Sequence, residues 1–351
     1  MRLRAITRVG IGRAPFRVSL ADPSLPEGSP PRPLAVLFGA DGVGKTSLLT
    51  AILYTRPGFV FPLQPKPPPA PVDGERRAGF ALAEWDLCDD DPARPHPLLV
   101  ASPNAIVEGE DETQTLLRRR EQTLFDKRAQ EQGGHCVVGF LGARWFSRQP
   151  MMLTSPERSV LRYDVRAVPA LEDVSRADLT RETKQVLAHA EIACALADGE
   201  GRTLTMRSAV RHAVGVALGP FGAQFRGVDP RTLEPTFEER GRVVVFDDLS
   251  HGAQHLVAIV AGTLRAVGGA YPERDPLESE GVSVIDDAEL GLDAGAQRAL
   301  ASVLREALPR VQWVVATASP NVAAGCSRGE VIALRRGDEA TVEVQDDAVL
   351  H

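Results

Sequence analysis

A short glycine-rich stretch near the N-terminus has residue types and spacing suited to phosphate chemistry. It reads F-G-A-D-G-V-G-K-T-S over residues 38 to 47. It fits the pattern G-x-x-x-x-G-K-[ST] through Gly39, Gly44, Lys45 and Thr46. Glycines let the backbone curl so that several N–H groups and a helix N-terminus point at one phosphate cluster. The lysine reaches the outer phosphates and the threonine hydroxyl serves Mg²⁺, so the pattern predicts a site for a magnesium-bound triphosphate.

The flanking sequence favours this interpretation over a glycine-rich turn with a surface lysine. The apolar run L-A-V-L-F precedes the loop and the helix-forming run S-L-L-T-A-I-L-Y follows it. The chain has 40 basic residues but only four lysines, one of which is Lys45. A strand, a glycine-rich loop and a helix in this order predict a phosphate-binding loop. We expect the ligand contacts to come from Gly39, Asp41, Gly42, Val43, Gly44, Lys45, Thr46 and Ser47.

A pair of aspartates follows a buried strand in the C-terminal third. The segment V-S-V-I-D-D-A-E-L-G-L-D places Asp286 and Asp287 directly after four strand residues. We expect Asp286 to organise Mg²⁺ together with Thr46, and Asp287 to polarise the attacking water. The predicted catalytic set is therefore Lys45, Asp286 and Asp287. The alternative is an acidic strand end that caps the next helix.

A second candidate phosphate-binding end lies in the segment D-D-L-S-H-G-A-Q-H-L, residues 247 to 256. Ser250 and Gly252 open a helix with a continuous apolar face, and a helix N-terminus favours anions. Because the first loop already surrounds the phosphates of its own chain, this end would act on the γ phosphate of a partner subunit. An ordinary N-cap is the alternative. His251 and His255 could share a metal, but two histidines alone favour ordinary helix-end residues.

The elements that must position these residues are readable from periodicity. The first 20 residues alternate as short strands do, and the last third alternates strands with helices, which indicates an α/β sheet. Predicted strands cover residues 78–87, 136–146, 242–246, 282–285, 313–317, 331–334 and 341–344. Predicted helices cover residues 111–131, 178–198, 203–218, 250–268 and 294–308.

Composition excludes several classes of protein. A net charge of -7 and a pI near 5.6 argue against a strongly basic nucleic-acid binder. Four cysteines without a C-x-x-C pair favour neither a disulfide framework nor a zinc cluster, and a reduced cytoplasm is expected. No apolar run reaches the roughly 20 residues that a membrane span requires, so no membrane insertion is expected.

The motifs taken together resemble the ABC-type ATPase superfamily, and within it the soluble RecF, SMC and OLD-like branch. The resemblance rests on G-A-D-G-V-G-K-T, L-S-H-G-A-Q-H, V-I-D-D-A-E-L-G-L-D and V-V-A-T-A-S-P, in about the first 60 and last 110 residues. It implies an α/β P-loop NTPase, an ABC-type ATPase head with N-terminal antiparallel strands and a mostly helical insertion. The expected divisions are residues 1–105 with the P-loop, 106–235 as the insertion, and 236–351 with the L-S-x-G helix, the two outer parts forming one core.

The resemblance also implies ligands, partners and further residue roles. ATP and Mg²⁺ would close a homodimer in which each P-loop faces the partner's Ser250 and Gly252, with Leu292 and Asp293 at the interface. Arg13 would lie near the adenine. Work on DNA, in repair, recombination or defence against foreign DNA, is the implied role, and an effector protein is a possible partner.

Departures from the family pattern leave alternatives open. Asp287 replaces the usual glutamate, and Ala318 stands where a histidine usually follows a threonine, so slow turnover is expected. Gln149 is the candidate for the glutamine loop. Arg144 could touch phosphate or DNA, or pack over Trp145. A slowly hydrolysing ATP-gated scaffold that recruits an effector is the first rival function, and a transporter ATPase subunit is the second.

Overall fold

The fold is described from a computed structural model of the chain, over residues 1–9, 16–21, 26, 29–57, 80–102, 105, 107, 109–140, 142–151, 177–197, 201–337 and 341–346. Its strands are β1 (Arg2–Val9), β2 (Phe16–Ser19), β3 (Leu34–Phe38), β4 (Phe80–Asp86), β5 (Leu98–Ala101), β6 (Val137–Phe140), β7 (Arg144–Trp145), β8 (Ala177–Asp178), β9 (Ala223–Val228), β10 (Pro235–Glu239), β11 (Arg242–Val245), β12 (Gly281–Ile285), β13 (Val311–Thr317), β14 (Val331–Arg336) and β15 (Val342–Asp346). Its helices are α1 (Lys45–Tyr54), α2 (Glu112–Gln132), α3 (Thr180–Leu196), α4 (Gly201–Leu218), α5 (His251–Ala270), α6 (Ala294–Ala307) and α7 (Pro320–Ala324).

A six-stranded sheet in the order β15-β14-β3-β13-β12-β6 forms the centre of the fold. All neighbours in it pair in parallel except β14 with the edge strand β15, which pairs antiparallel. Strand β13 is buried along its whole length, as are all five residues of β12. Strands buried along their whole length are expected where helices or sheets cover both faces of a parallel sheet.

Alternate residues of the central strands enter two separate hydrophobic clusters. Leu34 and Val36 of β3 pack with helices α3 to α6, whereas Ala35 and Leu37 pack with α1 and with the antiparallel sheet β2-β1-β4-β5. The period of two along a strand sends neighbouring side chains to opposite faces. Because Leu37 is fully buried, its replacement by alanine would cost about 2–5 kcal/mol of stability.

Two details of the middle of the chain differ from the predicted elements. The prediction of a single strand over residues 136–146 is wrong, because this segment contains two short strands, β6 and β7. The chain bends at Gly142 between them, and a Cβ atom on that glycine would lie 2.5 Å from Asp287 Oδ2. The sequence reading also missed β9 and β10, which form an antiparallel sheet with β11. Strand β6, within residues 106–235, pairs with β12 of the central sheet.

Elements of the C-terminal third agree with the predictions to within two residues at most ends. The helix predicted over residues 250–268 is α5, and the strand predicted over 282–285 is β12. This part of the chain therefore gives the predicted alternation of strand and helix. Within the described ranges, no helix combines the length and apolarity needed to cross a membrane.

Candidate functional site

The glycine-rich loop connects the end of β3 to the start of α1. Gly44 is the N-cap residue of α1 with φ of 101°, and no side chain caps this helix end. A positive φ of this size is available to glycine at little cost, which explains the residue type. Gly39 is required for another reason, because a Cβ atom there would lie 2.4 Å from the carbonyl oxygen of Leu334 in β14. The loop is thus pressed against the neighbouring strand.

Lys45 lies inside the curl of this loop. Its side chain is buried, and Nζ donates to the carbonyl oxygens of Gly39 (2.7 Å) and Ala40 (3.0 Å). The ammonium group therefore occupies the space that the loop surrounds, where a phosphate oxygen could replace a carbonyl as acceptor. Thr46 and Ser47 are exposed in the first turn of α1.

The other predicted loop residues divide by exposure. Asp41 and Gly42 are exposed, whereas the side chain of Val43 is buried in the core. Val43 could thus reach a ligand only through its backbone. The predicted contact of Arg13 with the adenine lies outside the described residues.

The P-loop and the aspartate pair lie at the same edge of the central sheet. Strand β13 lies between β3 and β12, and all three run parallel, so their carboxyl ends meet there. The backbone N–H of Gly39 donates to Thr317 (3.3 Å), and that of Ala288 donates to Ala316 (3.1 Å). Both loops are therefore tied to neighbouring residues at the end of one strand. The structure therefore places the loop of Lys45 and the strand end of Asp286 at one edge of the sheet, with the end of β13 between β3 and β12.

Asp286 is a buried carboxylate whose side chain is only 1% exposed. Among the described residues, none hydrogen-bonds its Oδ1 atom. A buried carboxylate oxygen without a partner is costly, and coordination or a metal-bound water would offset that cost. The donor set of Asp286 and the Thr46 hydroxyl, close to a buried lysine, fits a magnesium ion bound with nucleotide phosphates.

Asp287 differs from its neighbour in exposure and in backbone conformation. Its φ is 44°, in the left-handed region that non-glycine residues rarely adopt, and its side chain is exposed. Partial burial, Asp286 and Glu289 raise the pKa of Asp287, whereas the positive charges of Arg144 and Lys45 lower it. A strained residue beside a candidate reaction centre is typical of functional sites.

Glu289 was missed by the sequence reading. Its carboxylate accepts the Thr317 hydroxyl (2.6 Å) and the backbone N–H of Ala318 (2.9 Å). Glu289 thus binds the end of β13 and Ala318, which stands where the sequence resemblance predicts a histidine. Its position three residues after Asp286, inside the same acidic segment, was the signal that could have identified it.

Arg144 occupies neither position considered from the sequence. Its side chain is 4% exposed, and it donates to the carbonyl oxygens of Phe140 (3.0 Å), Asp286 (2.6 Å) and Asp287 (2.9 Å). Burial lowers the pKa of Arg144 to about 10, against the raising effect of the nearby carboxylates. Trp145 is half exposed on the other side of the strand.

The L-S-x-G segment forms the start of α5. Ser250 is the exposed N-cap residue, and its hydroxyl makes no cap hydrogen bond. Gly252 is buried, and a Cβ atom there would lie 2.8 Å from the carbonyl oxygen of Gly291 and 3.0 Å from the Phe221 ring. Close packing therefore explains the glycine, and the serine is left pointing to solvent.

Two histidines near this end pack as aromatic rings. The rings of His251 and His255 lie 4.5 Å apart between centroids, and Phe146 stacks edge-on against His255 at 4.9 Å. Burial, followed by the charges of Arg144 and His251, lowers the pKa of His255 to about 3. In the part of the chain that the structure describes, no group of three or more His, Cys, Asp or Glu residues could hold a metal ion.

Gln149 is exposed and contacts β8 and α3 rather than the P-loop in the contacts described. Its side-chain amide donates to Asp178 of β8 (3.1 Å), and its backbone carbonyl accepts from Lys184 Nζ of α3 (2.8 Å). Leu292 is buried in the core, and Asp293 caps α6 through the N–H of Ala296 (2.8 Å). In the single chain Leu292 is thus buried, whereas Asp293 is exposed while it caps α6, and the place of both at a dimer interface stays a prediction.

Comparison with known proteins supports the fold. No protein-family model matches the chain, and no curated protein matches its sequence. Among solved structures, the Smc head bound to the C-winged helix domain of ScpA is 13% identical, with a TM-score of 0.50 over 98% of this chain and 97% of that one. The SMC head domain of Thermotoga maritima is 14% identical, with a TM-score of 0.49 over 99% and 100% of the two chains.

A third solved structure is similar to a comparable extent. The Smc head domain from Pyrococcus furiosus, with an extended coiled coil and bound to the C-terminal domain of ScpA, is 13% identical, with a TM-score of 0.49 over 98% and 96% of the two chains. The fold assignment rests on the ScpA-bound head with the TM-score of 0.50. This chain therefore has the α/β fold of SMC heads.

Proposed function

We propose that this protein binds and hydrolyses ATP with Mg²⁺, and that ATP closes a homodimer between two P-loop and L-S-x-G ends. The observation that carries the proposal is the position of Asp286, a buried carboxylate with an oxygen that no described residue hydrogen-bonds, at the sheet edge where Lys45 fills its loop. A fold can host many functions, so these residues rather than the architecture support the proposed activity.

The chemistry assigned to this chain is mostly positioning. Lys45 would exchange its carbonyl acceptors for oxygens of the β and γ phosphates, and the uncapped N-terminus of α1 would bind the same anion. Thr46 and Asp286 would hold Mg²⁺, which supplies charge neutralisation for the phosphates when bound. Asp287, with its exposed carboxylate, would orient the attacking water and accept its proton.

The dimer is proposed from the uncapped start of α5. Ser250 is exposed and its hydroxyl does not cap α5, so both it and the first N–H groups of the helix are available to an anion. The phosphates of a bound nucleotide in a second copy of the chain would provide that anion. A homodimer with two such contacts would be symmetric, as most homo-oligomers are.

A turnover assay tests the enzymatic proposal. The wild-type chain should release phosphate from ATP in the presence of Mg²⁺, and Asp286→Ala should remove most of this activity while leaving the fold intact. The exposed Asp248→Ala, at the surface before Ser250, serves as a matched control for loss of one carboxylate. Equal phosphate release by wild type and Asp286→Ala would contradict the proposal.

A second candidate is an ATP-gated scaffold that hydrolyses little and recruits an effector protein. The observation in its favour is Glu289, which binds the N–H of Ala318 where a histidine is expected. Two of the similar solved structures are heads bound to a ScpA domain, which supports a protein partner for a head of this fold. ATP-dependent dimers with turnover indistinguishable from that of Asp286→Ala would favour the scaffold.

Work on DNA is proposed from the sequence resemblance alone. Because phosphate contacts make such binding salt-dependent, the test is a salt titration of DNA retention with and without ATP. Retention that appears only with ATP and weakens with salt is expected. Absence of ATP-dependent retention at low salt would remove the DNA role and leave the ATPase proposal standing.

A further inference from the structure

The carboxyl ends of two neighbouring strands are joined by one buried guanidinium group. Strands β6 and β12 pair in parallel and end at Phe140 and Ile285, and the side chain of Arg144 donates to the carbonyls of Phe140, Asp286 and Asp287. These carbonyls lie at or just beyond the strand ends, where the regular sheet pairing stops. The backbone of the aspartate pair is thus fixed from the side by a charged group.

Gly142, two residues before Arg144, lies against the side chain of Asp287. Gly142 lies so close to the Asp287 carboxylate that a Cβ atom would be 2.5 Å from its Oδ2 atom. The Asp287 peptide is in the left-handed conformation, with φ of 44°. A conformation of this kind persists only when its surroundings hold it. The hydrogen bond from Arg144 to the Asp287 carbonyl, at 2.9 Å, is one such restraint.

A guanidinium group restrains the backbone of Asp286 and Asp287 better than an ammonium group would. Two different nitrogens of Arg144 reach the consecutive carbonyls of Asp286 and Asp287. The planar fork of arginine presents its donors at fixed angles, whereas lysine supplies one mobile point charge. Arg144 therefore restrains the orientation of the peptide that joins the two aspartates, and with it the direction of the Asp287 side chain.

We propose that Arg144 is a positioning residue for ATP hydrolysis, which fixes the Asp286–Asp287 backbone so that the Asp287 carboxylate is aimed at the attacking water. This inference rests on the proposed ATPase function and adds a residue to it. Arg144 does not touch the nucleotide in this assignment. Its loss should therefore lower kcat without a matching change in the affinity for ATP.

A second buried arginine offers a matched control. Arg32 is 3% exposed and donates to the carbonyls of Leu20, Ala21 and Gly329, with Asp346 as its ion-pair partner. Like Arg144, it is a buried cation bonded to backbone carbonyls, but it joins β2 to the region of β14. Its replacement should cost stability without an effect on the chemical step of the folded protein.

The experiment compares Arg144→Gln, Arg144→Lys and Arg32→Gln for kcat, for the dissociation constant of ATP and for thermal stability. Misplacement of a reacting group by about 1 Å can cost on the order of 100-fold in rate. We therefore expect Arg144→Gln to lose about 100-fold in kcat with ATP affinity changed less than about threefold, and Arg144→Lys to recover part of that loss. Arg32→Gln should melt at a lower temperature and keep its kcat when assayed below that melting temperature.

The outcomes separate this inference from the function on which it rests. If wild type hydrolyses ATP and folded Arg144→Gln matches its kcat, the positioning role is wrong and the ATPase proposal stands. The two arginine variants are also compared when each is assayed at the same number of degrees below its own melting temperature. If Arg144→Gln then loses no more kcat than Arg32→Gln, the positioning role is wrong. If Arg144→Gln does not fold, Arg144→Lys decides by the same comparison. If wild type itself shows no ATP hydrolysis, both proposals fall.

Discussion

Helices α1 and α5 both begin without a side-chain cap, and these two ends are built differently. Helices α2 and α6 begin with Asp111 and Asp293, whose carboxylates accept backbone N–H groups of the first turn. Helices α1 and α5 begin with Gly44 and Ser250, and no side chain caps either end. Free N–H groups at a helix start favour an anion. Helix α3 also lacks a cap at its N-cap residue Leu179, but there the carboxylate of Asp178 accepts the N–H of Thr180 (3.0 Å). The starts of α1 and α5 are therefore the candidate phosphate-binding ends.

The surroundings of the two uncapped ends indicate different roles. The α1 end lies at the edge of the parallel sheet with Lys45 and the carboxylate of Asp286 close by, which suits binding of a magnesium nucleotide. The start of α5 packs against aromatic rings, including Phe221 and Phe146, and leaves Ser250 exposed. One end thus holds groups for binding and chemistry, and the other presents donors outward.

The largest expected effect comes from removing the cation of the α1 end. Lys45→Ala should abolish ATP binding, because the only ammonium group inside the described loop is lost. Equilibrium binding of a fluorescent ATP analogue measures this, with circular dichroism to show that the fold is kept. The exposed Lys127→Ala is the matched control. ATP affinity within threefold of wild type in Lys45→Ala would contradict the role of the α1 end.

The next effect tests the outward-facing end. Ser250→Arg should leave ATP binding unchanged and block ATP-dependent dimerisation, because a long side chain would occupy the space meant for the partner's nucleotide. Light scattering after size-exclusion chromatography with Mg²⁺ and ATP measures the mass. Ser302→Arg, at an exposed serine on α6, controls for an added surface charge. Normal dimers of Ser250→Arg with ATP would show that Ser250 does not act on a partner.

The sequence was sufficient to predict the α1 end and the strand end of Asp286, because each is a continuous segment whose neighbours already indicate strand and helix. It could not predict the role of Arg144, since the contacts of its side chain reach residues more than 140 positions away in the chain. A charged residue buried against carbonyls has no local signature. Strand β9, in contrast, has a local signal, because buried and exposed residues alternate along A-Q-F-R-G-V.

Gly252 shows that a motif can predict a residue type without showing every reason for it. From the sequence, this glycine indicates a backbone that approaches a phosphate. In the structure, the observed reason for a glycine is contact with the Gly291 carbonyl and the Phe221 ring. The motif thus relates Gly252 to phosphate binding, whereas the contacts within the single chain relate it to close packing. A short motif does not show close packing between distant segments of the chain.

A pair of glycine substitutions sharpens this difference between the two ends. In Gly44→Ala the new Cβ has no heavy atom within 4 Å, so the cost is backbone strain at φ of 101°, on the order of 1–2 kcal/mol. In Gly252→Ala the new Cβ collides with the Gly291 carbonyl and the Phe221 ring, which would cost about 1–3 kcal/mol. Urea denaturation measures both losses.

A second substitution distinguishes strain from collision. Phe221→Leu should recover part of the stability lost in Gly252→Ala, because the ring contact at 3.0 Å is removed, and should not rescue Gly44→Ala. The coupling between the two changes is read from a double-mutant cycle. Equal rescue of both alanine variants would mean that the glycines serve the same purpose.

The smallest expected effect is a pH dependence specific to the α5 end. The folded-state pKa of His255 is lowered to about 3, mainly by burial, below its unfolded value near 6.5. The unfolded chain therefore binds the proton more readily, and stability present above pH 6.5 is lost as the pH falls towards 3. Between pH 7.5 and 5.5, protonation of His255 in the unfolded chain should lower the free energy of unfolding by about 1.4 kcal/mol.

The His255→Asn variant should lack this part of the pH dependence of stability, whereas His251→Asn, at an exposed position, should retain it. Urea denaturation at the two pH values measures the difference. If wild type and His255→Asn lose equal stability over this interval, the buried histidine is not the group that makes the α5 end sensitive to acid.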